Sequence, residues 1–298
     1  MHYGNPRTEE ILGYEPGGLA GTSLTPLIAN EDRPAVEREL HRLISREIPV
    51  AKLEFRMRRK DGSEVTIGAQ VLRARVNNRP AIIGVMQDIS EKKRAEEEIK
   101  RYVAQLETAF MRTVTVVTTL SGMRDAYTAG HERRVGEIAA AIGAELGFDA
   151  RRQEGLRVAG CLHDVGKIII PSEILSKPGK LSAIEFELIK GHAQAGYDVL
   201  APVGFPWPVA EVALQHHERL DGSGYPRGLK GDAILFEARI MAVADVVEAM
   251  TSHRPYRAGL GIERALAEIE RGRGTAYDSA VVEVCVSLFR EKAYAIPD

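Results

Sequence analysis

The sequence predicts two folded parts of different class joined by a helix. The N-terminal part, residues 1–90, is α+β; residues 91–112 form a helical coiled-coil linker; residues 113–298 form an all-α domain. Three observations carry this. Apolar and polar residues alternate with period two on either side of the turn signals Asp61-Gly62 and Asn77-Asn78. A run of charged helix formers then carries apolar residues at steps of three and four. Beyond Thr113 nearly every apolar pattern has the helical period.

Taken in order, Thr8 to Leu12 reads as a short capped helix and Arg33 to Ile44 as a second. Lys52–Met57 and Glu64–Ile67 read as strands with Asp61-Gly62 as their hairpin turn; Val71–Val76 and Ala81–Met86 repeat the pattern around Asn77-Asn78. The linker follows from Glu91-Lys92-Lys93-Arg94 and Glu96-Glu97-Glu98, which are strongly helix-forming. Ile99, Tyr102, Leu106, Ala109, Thr113 and Val116 make an a/d seam of about three heptads, enough for a parallel two-stranded coil between two copies; a lone helix lying on its own domain is the alternative. Val135, Ile138, Ala139, Ile142 and Leu146 form one stripe, with Gly147 closing the helix. Ser182 and Glu185 form a capping box that opens a helix through Leu200. Val209, Val212, Ala213 and His216 share one face, and Phe236–Met250 is a long apolar helix.

Composition excludes several classes. The 298 residues are 44% hydrophobic and 28% charged, ordinary for a globular chain, and the formal net charge of −2 offers no basic field for DNA, RNA or anionic lipid. No apolar run reaches membrane-spanning length and no leader opens the chain, so a cytoplasmic protein is expected. The two cysteines, Cys161 and Cys285, sit in apolar contexts and read as buried thiols; they exclude a disulfide scaffold or a cysteine-rich zinc site. His41, the one histidine well inside the N-terminal part, reads as a surface helix residue rather than a haem ligand.

Five histidines stand out: His131, His163, His192, His216 and His217. Each alone would be an ordinary core or surface residue. His192, three residues after Ile189, belongs to an inward face, and His216 and His217 extend the buried stripe of Val212 and Ala213 by one turn. Imidazoles aimed inward need partners. Asp245 lies within Ile240–Val247 and Asp164 follows Ala159–Leu162, so both carboxylates are embedded in apolar helix. A buried anion is costly without compensation. A salt bridge from Arg239 is one remedy for Asp245; a metal ion serves both carboxylates. Two carboxylates and five imidazoles exceed the needs of one ion and suit two six-coordinate ions with one shared carboxylate. Mixed nitrogen and oxygen donors suit iron, manganese or a similar first-row ion better than magnesium.

The segment H-H-E-R-L-D-G-S-G-Y-P, His216 to Pro226, with His163-Asp164 and Gly166-Lys167, resembles the HD-GYP family of bacterial metal-dependent cyclic di-GMP phosphodiesterases. The resemblance implies that His131, His163, Asp164 and Asp245 hold one metal, and that His192, His216 and His217 hold the second, with Asp164 bridging. It implies two divalent ions, iron or manganese. Members that build a three-metal centre carry glutamate four residues before the first histidine; here that place is Tyr127, which points to two. Thr128 and Asp125 would then orient neighbouring groups, and Glu218 would bond a ligand histidine. Asp164 and Lys167 are the implied catalytic residues, and Lys167, Gly224, Tyr225, Arg254 and Arg257 the substrate-binding ones. Glu248 stands where aspartate is also common. Lys167, four residues after His163, is expected on the same helix face.

A water shared by two cations loses a proton near neutral pH and becomes a nucleophile. Its attack would open cyclic di-GMP to linear pGpG, with GMP after a second cut. Tyr225 would stack on a guanine, bond a phosphate, or serve a docking surface for a GGDEF-type cyclase partner. The competing readings are an HD phosphohydrolase for another nucleotide and a catalytically inactive receptor for the dinucleotide. Upstream, N-P-R-T-E-E-I-L-G-Y (residues 5–14) and G-V-M-Q-D-I-S (84–90) resemble a PAS sensor domain, with Asp88-Ile89 as the exit into a signalling helix. The two strands that open a PAS fold have no counterpart, so the expectation is that they lie outside this chain or come from another.

Overall fold

The computed structural model describes residues 6–76, 78–122, 130–177, 179–252 and 259–297. They form two compact units, residues 1–107 and 108–298, and one helix runs through the boundary.

In the first unit, α1 (Pro6–Leu12) and α2 (Arg33–Ile44) accompany β1 (Val50–Arg58), β2 (Glu64–Val76) and β3 (Arg79–Asp88). The strands form one antiparallel sheet in the order β1-β2-β3, with Phe55 opposite Ile67 and Val71 opposite Gly84. Leu12, Leu19, Val36, Phe55, Met57, Val65, Ile67 and Ala69 bury one face. The two short strands expected at Glu64–Ile67 and Val71–Val76 are one strand. Alternating burial stops after Ala69, but the ladder to β3 continues to Val76. The apolar pattern marks where the core ends, not where the strand ends. Beyond that point Leu72, Val76, Ile82, Ile83 and Val85 are exposed.

The exit from β3 is fixed by side chains. Asp88 accepts from Ser90 N at 2.8 Å and from Arg59 Nη2 at 3.0 Å, while Ser90 Oγ accepts from Thr66 N at 2.9 Å. The sheet edge and the first turn of α3 (Ser90–Gly122) are thereby locked together. The linker is helical throughout its expected span. The seam residues Ile99, Tyr102, Leu106 and Val116 are all exposed on it.

In the second unit every named element is helical: α4 (His131–Glu145), α5 (Ala150–Leu162), α6 (Ser172–Leu175), α7 (Ala183–Leu200), α8 (Val209–Gln215), α9 (Phe236–Thr251), α10 (Ile262–Arg271) and α11 (Ser279–Arg290). The Ser182–Glu185 capping box forms and opens α7 as its sequence pattern requires. The buried stripe of α4 (Val135, Ile138, Ala139, Ile142) packs with Leu156 and Val158 of α5 and Ile240, Val243 and Val247 of α9 into one core. Among the described residues no helix is long and apolar enough to cross a membrane. Cys285 is buried, whereas Cys161 is only half-buried, and both are free thiols.

Two glycine contacts set how closely the histidine-bearing segments approach. A Cβ on Gly160 of α5 would lie 2.3 Å from Gly136 Cα of α4, so these helices touch backbone to backbone. A Cβ on Gly166 would lie 2.0 Å from His192 O and 2.4 Å from Gly196 N, so the chain after α5 lies directly on α7. No bulkier residue fits at either contact.

Candidate metal centre

The chain leaves α5 at His163, and Val165–Ile169 forms a 3-10 turn. His163 and Asp164 thus sit at a helix end, where the last carbonyls have no partner within the helix. His163 Nδ1 uses one of them, Gly160 O, at 2.7 Å. His216, at the end of α8, does the same with Ala213 O at 2.8 Å. His192 on α7 bonds Ile189 O at 2.6 Å. In each case the partner lies three residues earlier. A carbonyl can only accept, so Nδ1 carries the proton and Nε2 keeps its lone pair for another purpose. Such backbone anchoring is the usual arrangement around metal-binding imidazoles.

Those Nε2 atoms converge on Asp164. His163 Nε2 is 3.4 Å from Oδ2; His192 Nε2 and His216 Nε2 are 3.3 and 3.7 Å from Oδ1. Despite this crowding, His163 Nε2 and Asp164 Oδ1 are buried with no hydrogen-bond partner. Orphaned groups of this kind are expensive, and a cation between them satisfies both at once. Two sets of ligand atoms each lie within 4.8 Å of one another: Asp164, His192, His216 and His217, and His131, His163 and Asp164. Asp164 is common to both. Asp245 Oδ1, from α9, lies 3.4 Å from His131 Nε2. The residues present therefore fit divalent metal.

Burial dominates the electrostatics. It drives His163 and His216 below the ordinary imidazole range, and with help from His192 it takes His217 to about 3. These rings are neutral at physiological pH, the form that binds metal. Burial works to raise the Asp164 carboxyl, but Lys167 and the facing imidazoles hold it well below its usual value. His131 goes the other way: burial opposes its charge, yet Asp245 and Glu248 push it up to about 10. Before metal enters, His131 is an imidazolium between two carboxylates.

Several sequence expectations change here. Lys167 does not follow His163 along an α-helix; the tighter 3-10 turn brings its Nζ to 2.5 Å from Asp164 Oδ2. Arg239 pairs with Asp232 and Asp278, so it is no counter-ion for Asp245. Glu218 accepts from Arg227 N at 2.7 Å and Leu229 N at 3.0 Å, closing the Gly-Tyr-Pro loop rather than orienting a histidine. Gly224 packs backbone on backbone: its Cβ would fall 2.4 Å from Glu218 Cα. Tyr225, which precedes a cis peptide to Pro226, lies 4.6 Å from His217 ring to ring. Arg254 and Arg257, with Asp125, Tyr127 and Thr128, fall outside the described residues.

Glu248, noted in the sequence only as standing where aspartate is also common, has a role that the sequence did not assign. Its carboxylate is 1% exposed and contacts His131 Nδ1, while accepting from Arg134 Nε at 2.7 Å and Ser252 Oγ at 2.5 Å. Its position three residues after Asp245 places both acids on one face of α9, which was the available signal. Glu132 beside His131 is also buried, which pushes its carboxyl up to about 7.

Both parts of the chain match known proteins. Residues 116–281, more than half the chain, match the HD domain family, and residues 1–86 match the PAS fold. A cyclic di-GMP phosphodiesterase of Thermotoga maritima is 40% identical over 198 residues, which cover 66% of this chain and 54% of the relative. The cyclic di-GMP phosphodiesterase response regulator RpfG of Xanthomonas campestris pv. campestris is 37% identical over 71% of this chain and 57% of its own length. A 3'3'-cGAMP-specific phosphodiesterase of Vibrio cholerae is 37% identical over 61% of this chain and 40% of its own. The chain thus spans about half the length of the curated relatives it matches. A helical unit whose histidines and aspartates meet at an HD pair, preceded by a PAS fold, belongs to the HD domain family.

Proposed function

We propose that the second unit is a two-metal phosphodiesterase that hydrolyses cyclic di-GMP to linear pGpG. The observation that carries this is the convergence of imidazole Nε2 atoms on a buried carboxylate that has no hydrogen-bond partner for Oδ1. In this reading His131, His163, Asp164 and Asp245 hold one divalent ion and His192, His216 and His217 the other, with Asp164 shared. Iron or manganese suits the donor set. When bound, two such ions supply charge neutralisation for a phosphodiester and an acidified water.

The chain's own residues do the rest. The Nδ1-to-carbonyl bonds fix the imidazole planes before any metal arrives. Glu248 holds the His131 ring through Nδ1. Lys167, whose ammonium lies 2.5 Å from Asp164 Oδ2, is the cation that meets a phosphate oxygen in this reading. Tyr225, Gly224, Arg254 and Arg257 complete the substrate side in this reading. Names of relatives support the substrate class, and one named for 3'3'-cGAMP makes that dinucleotide the second candidate.

We place the regulatory part at residues 1–90, the linker at 91–112 and the catalytic part at 113–298. The exposed α3 seam supports a homodimer formed by pairing of this helix, and a GGDEF-type cyclase is the proposed protein partner. The test is direct. Protein purified without oxygen is analysed for metal, then incubated with cyclic di-GMP and 3'3'-cGAMP. The expected result is two equivalents of iron or manganese per chain and accumulation of pGpG. Metal-replete protein that binds the dinucleotide without cleaving it would show a receptor instead.

A further inference from the structure

Resting on the cyclic dinucleotide reading above, we propose that Phe186 and Lys190 of α7 form, with Tyr225, a guanine subsite beside the metal centre, and that Lys190 selects guanine over adenine. The three residues adjoin one another, and Tyr225 adjoins the ligand histidines. The Tyr225 ring lies 4.6 Å from His217 and 6.4 Å from His192. Phe186 meets Tyr225 edge to face, with centroids 6.3 Å apart at 81°. Lys190 Nζ sits 5.0 Å from the Phe186 centroid and 5.7 Å from that of Tyr225.

The helix explains the alignment. Phe186, Lys190 and Ala193 follow one another at steps of four and three, so one row on α7 runs from exposed Phe186 to buried Ala193, next to His192. Phe186 is 44% exposed, an aromatic face open to solvent one ring away from Tyr225. A phosphodiester held at the metal centre must set its nucleoside to one side. On this side it meets two rings and a cation, and bases stack on aromatic faces whatever their identity.

Selection comes from the ammonium. Guanine presents two acceptors, O6 and N7, on its outer edge; adenine presents the N7 acceptor and the N6 donor. Lysine has three donors and no acceptor, so guanine pairs with it and adenine sets donor against donor. Glu187 Oε1 takes one ammonium proton at 2.6 Å, and that carboxylate is itself largely exposed. Surface pairs of this kind are weak, so Glu187 leaves the other two donors available.

The experiment uses the full chain loaded with manganese and three substrates: cyclic di-GMP, cyclic di-AMP and bis(p-nitrophenyl) phosphate, which carries no base. Lys190→Met is expected to lower the ratio of kcat/KM for cyclic di-GMP over cyclic di-AMP by about tenfold or more. Turnover of bis(p-nitrophenyl) phosphate should stay within about twofold, and Glu187→Gln should leave the ratio unchanged. Phe186→Ala is expected to raise KM for both dinucleotides, by about tenfold, with metal content unaltered. A guanine preference that survives Lys190→Met, or a parallel fall for all three substrates, overturns the subsite alone. Wild-type protein that cleaves bis(p-nitrophenyl) phosphate but neither dinucleotide overturns both the subsite and the function it rests on.

Discussion

Replacing Asp164 by alanine isolates the group on which the metal centre turns. The carboxylate is approached by His163, His192 and His216 at 3.3 to 3.7 Å. Each of these rings is also tied through Nδ1 to a backbone carbonyl. Removing the carboxylate therefore leaves the imidazoles in place and the helices intact, while both ion positions lose a ligand. Metal at a thousandfold excess over its Kd stabilises the folded chain by about 4 kcal/mol. For a unit of this size that raises Tm by roughly 8–16 °C. If losing Asp164 weakens binding by about a hundredfold, about 2.7 kcal/mol of that is lost and the increment falls to roughly 3–6 °C. The assay is thermal unfolding of both proteins with EDTA and with manganese, beside metal analysis, circular dichroism and hydrolysis of cyclic di-GMP. Helicity should be unchanged, metal depleted and turnover abolished. A variant with full metal content and the wild-type increment would refute the shared-carboxylate arrangement.

Three further outcomes rest on named contacts. Lys167→Ala should retain both metals and turn over at least about tenfold more slowly, because it removes a charged donor but no ligand; metal analysis with steady-state kinetics decides, and metal loss would contradict its placement. Gly160→Ala should destabilise the metal-free protein by about 2 kcal/mol, since its Cβ meets Gly136 Cα at 2.3 Å and α4 must move away, separating His131 from His163; thermal unfolding and metal titration report both effects. Metal-free protein should lose stability as pH falls below about 6.5. The His217 pKa is depressed to about 3, so the unfolded chain takes up a proton that the folded one refuses. That linkage costs about 1.4 kcal/mol per pH unit between those values. His131, raised to about 10, has the opposite sign: its contribution is full below about 6.5 and fades as pH rises toward 10. Denaturant unfolding in EDTA from pH 5 to 9 should pass through a maximum, and a flat profile would mean these rings are not buried as described.

The sequence was sufficient wherever a local rule decides the outcome. Ser182 and Glu185 cap α7 because their side chains reach only the first turn of their own helix. The buried histidines and Asp164 could be picked out because an ionisable group in an apolar stripe has few ways to be satisfied. The PAS resemblance located the exit from β3 at Asp88, where Arg59 and Ser90 fix it. Tertiary contact decided the rest. Nothing in the order of residues says that Gly136 and Gly160 meet, that the turn after His163 is 3-10, or that Gly166 lies on His192. Glu248 shows the same limit: a glutamate near the end of an apolar helix gained its meaning only when α4 brought His131 and Arg134 against it. Ligand type is a property of the residue and can be read along the chain. Ligand geometry depends on how closely separate helices approach, and that is fixed by packing between segments far apart in sequence.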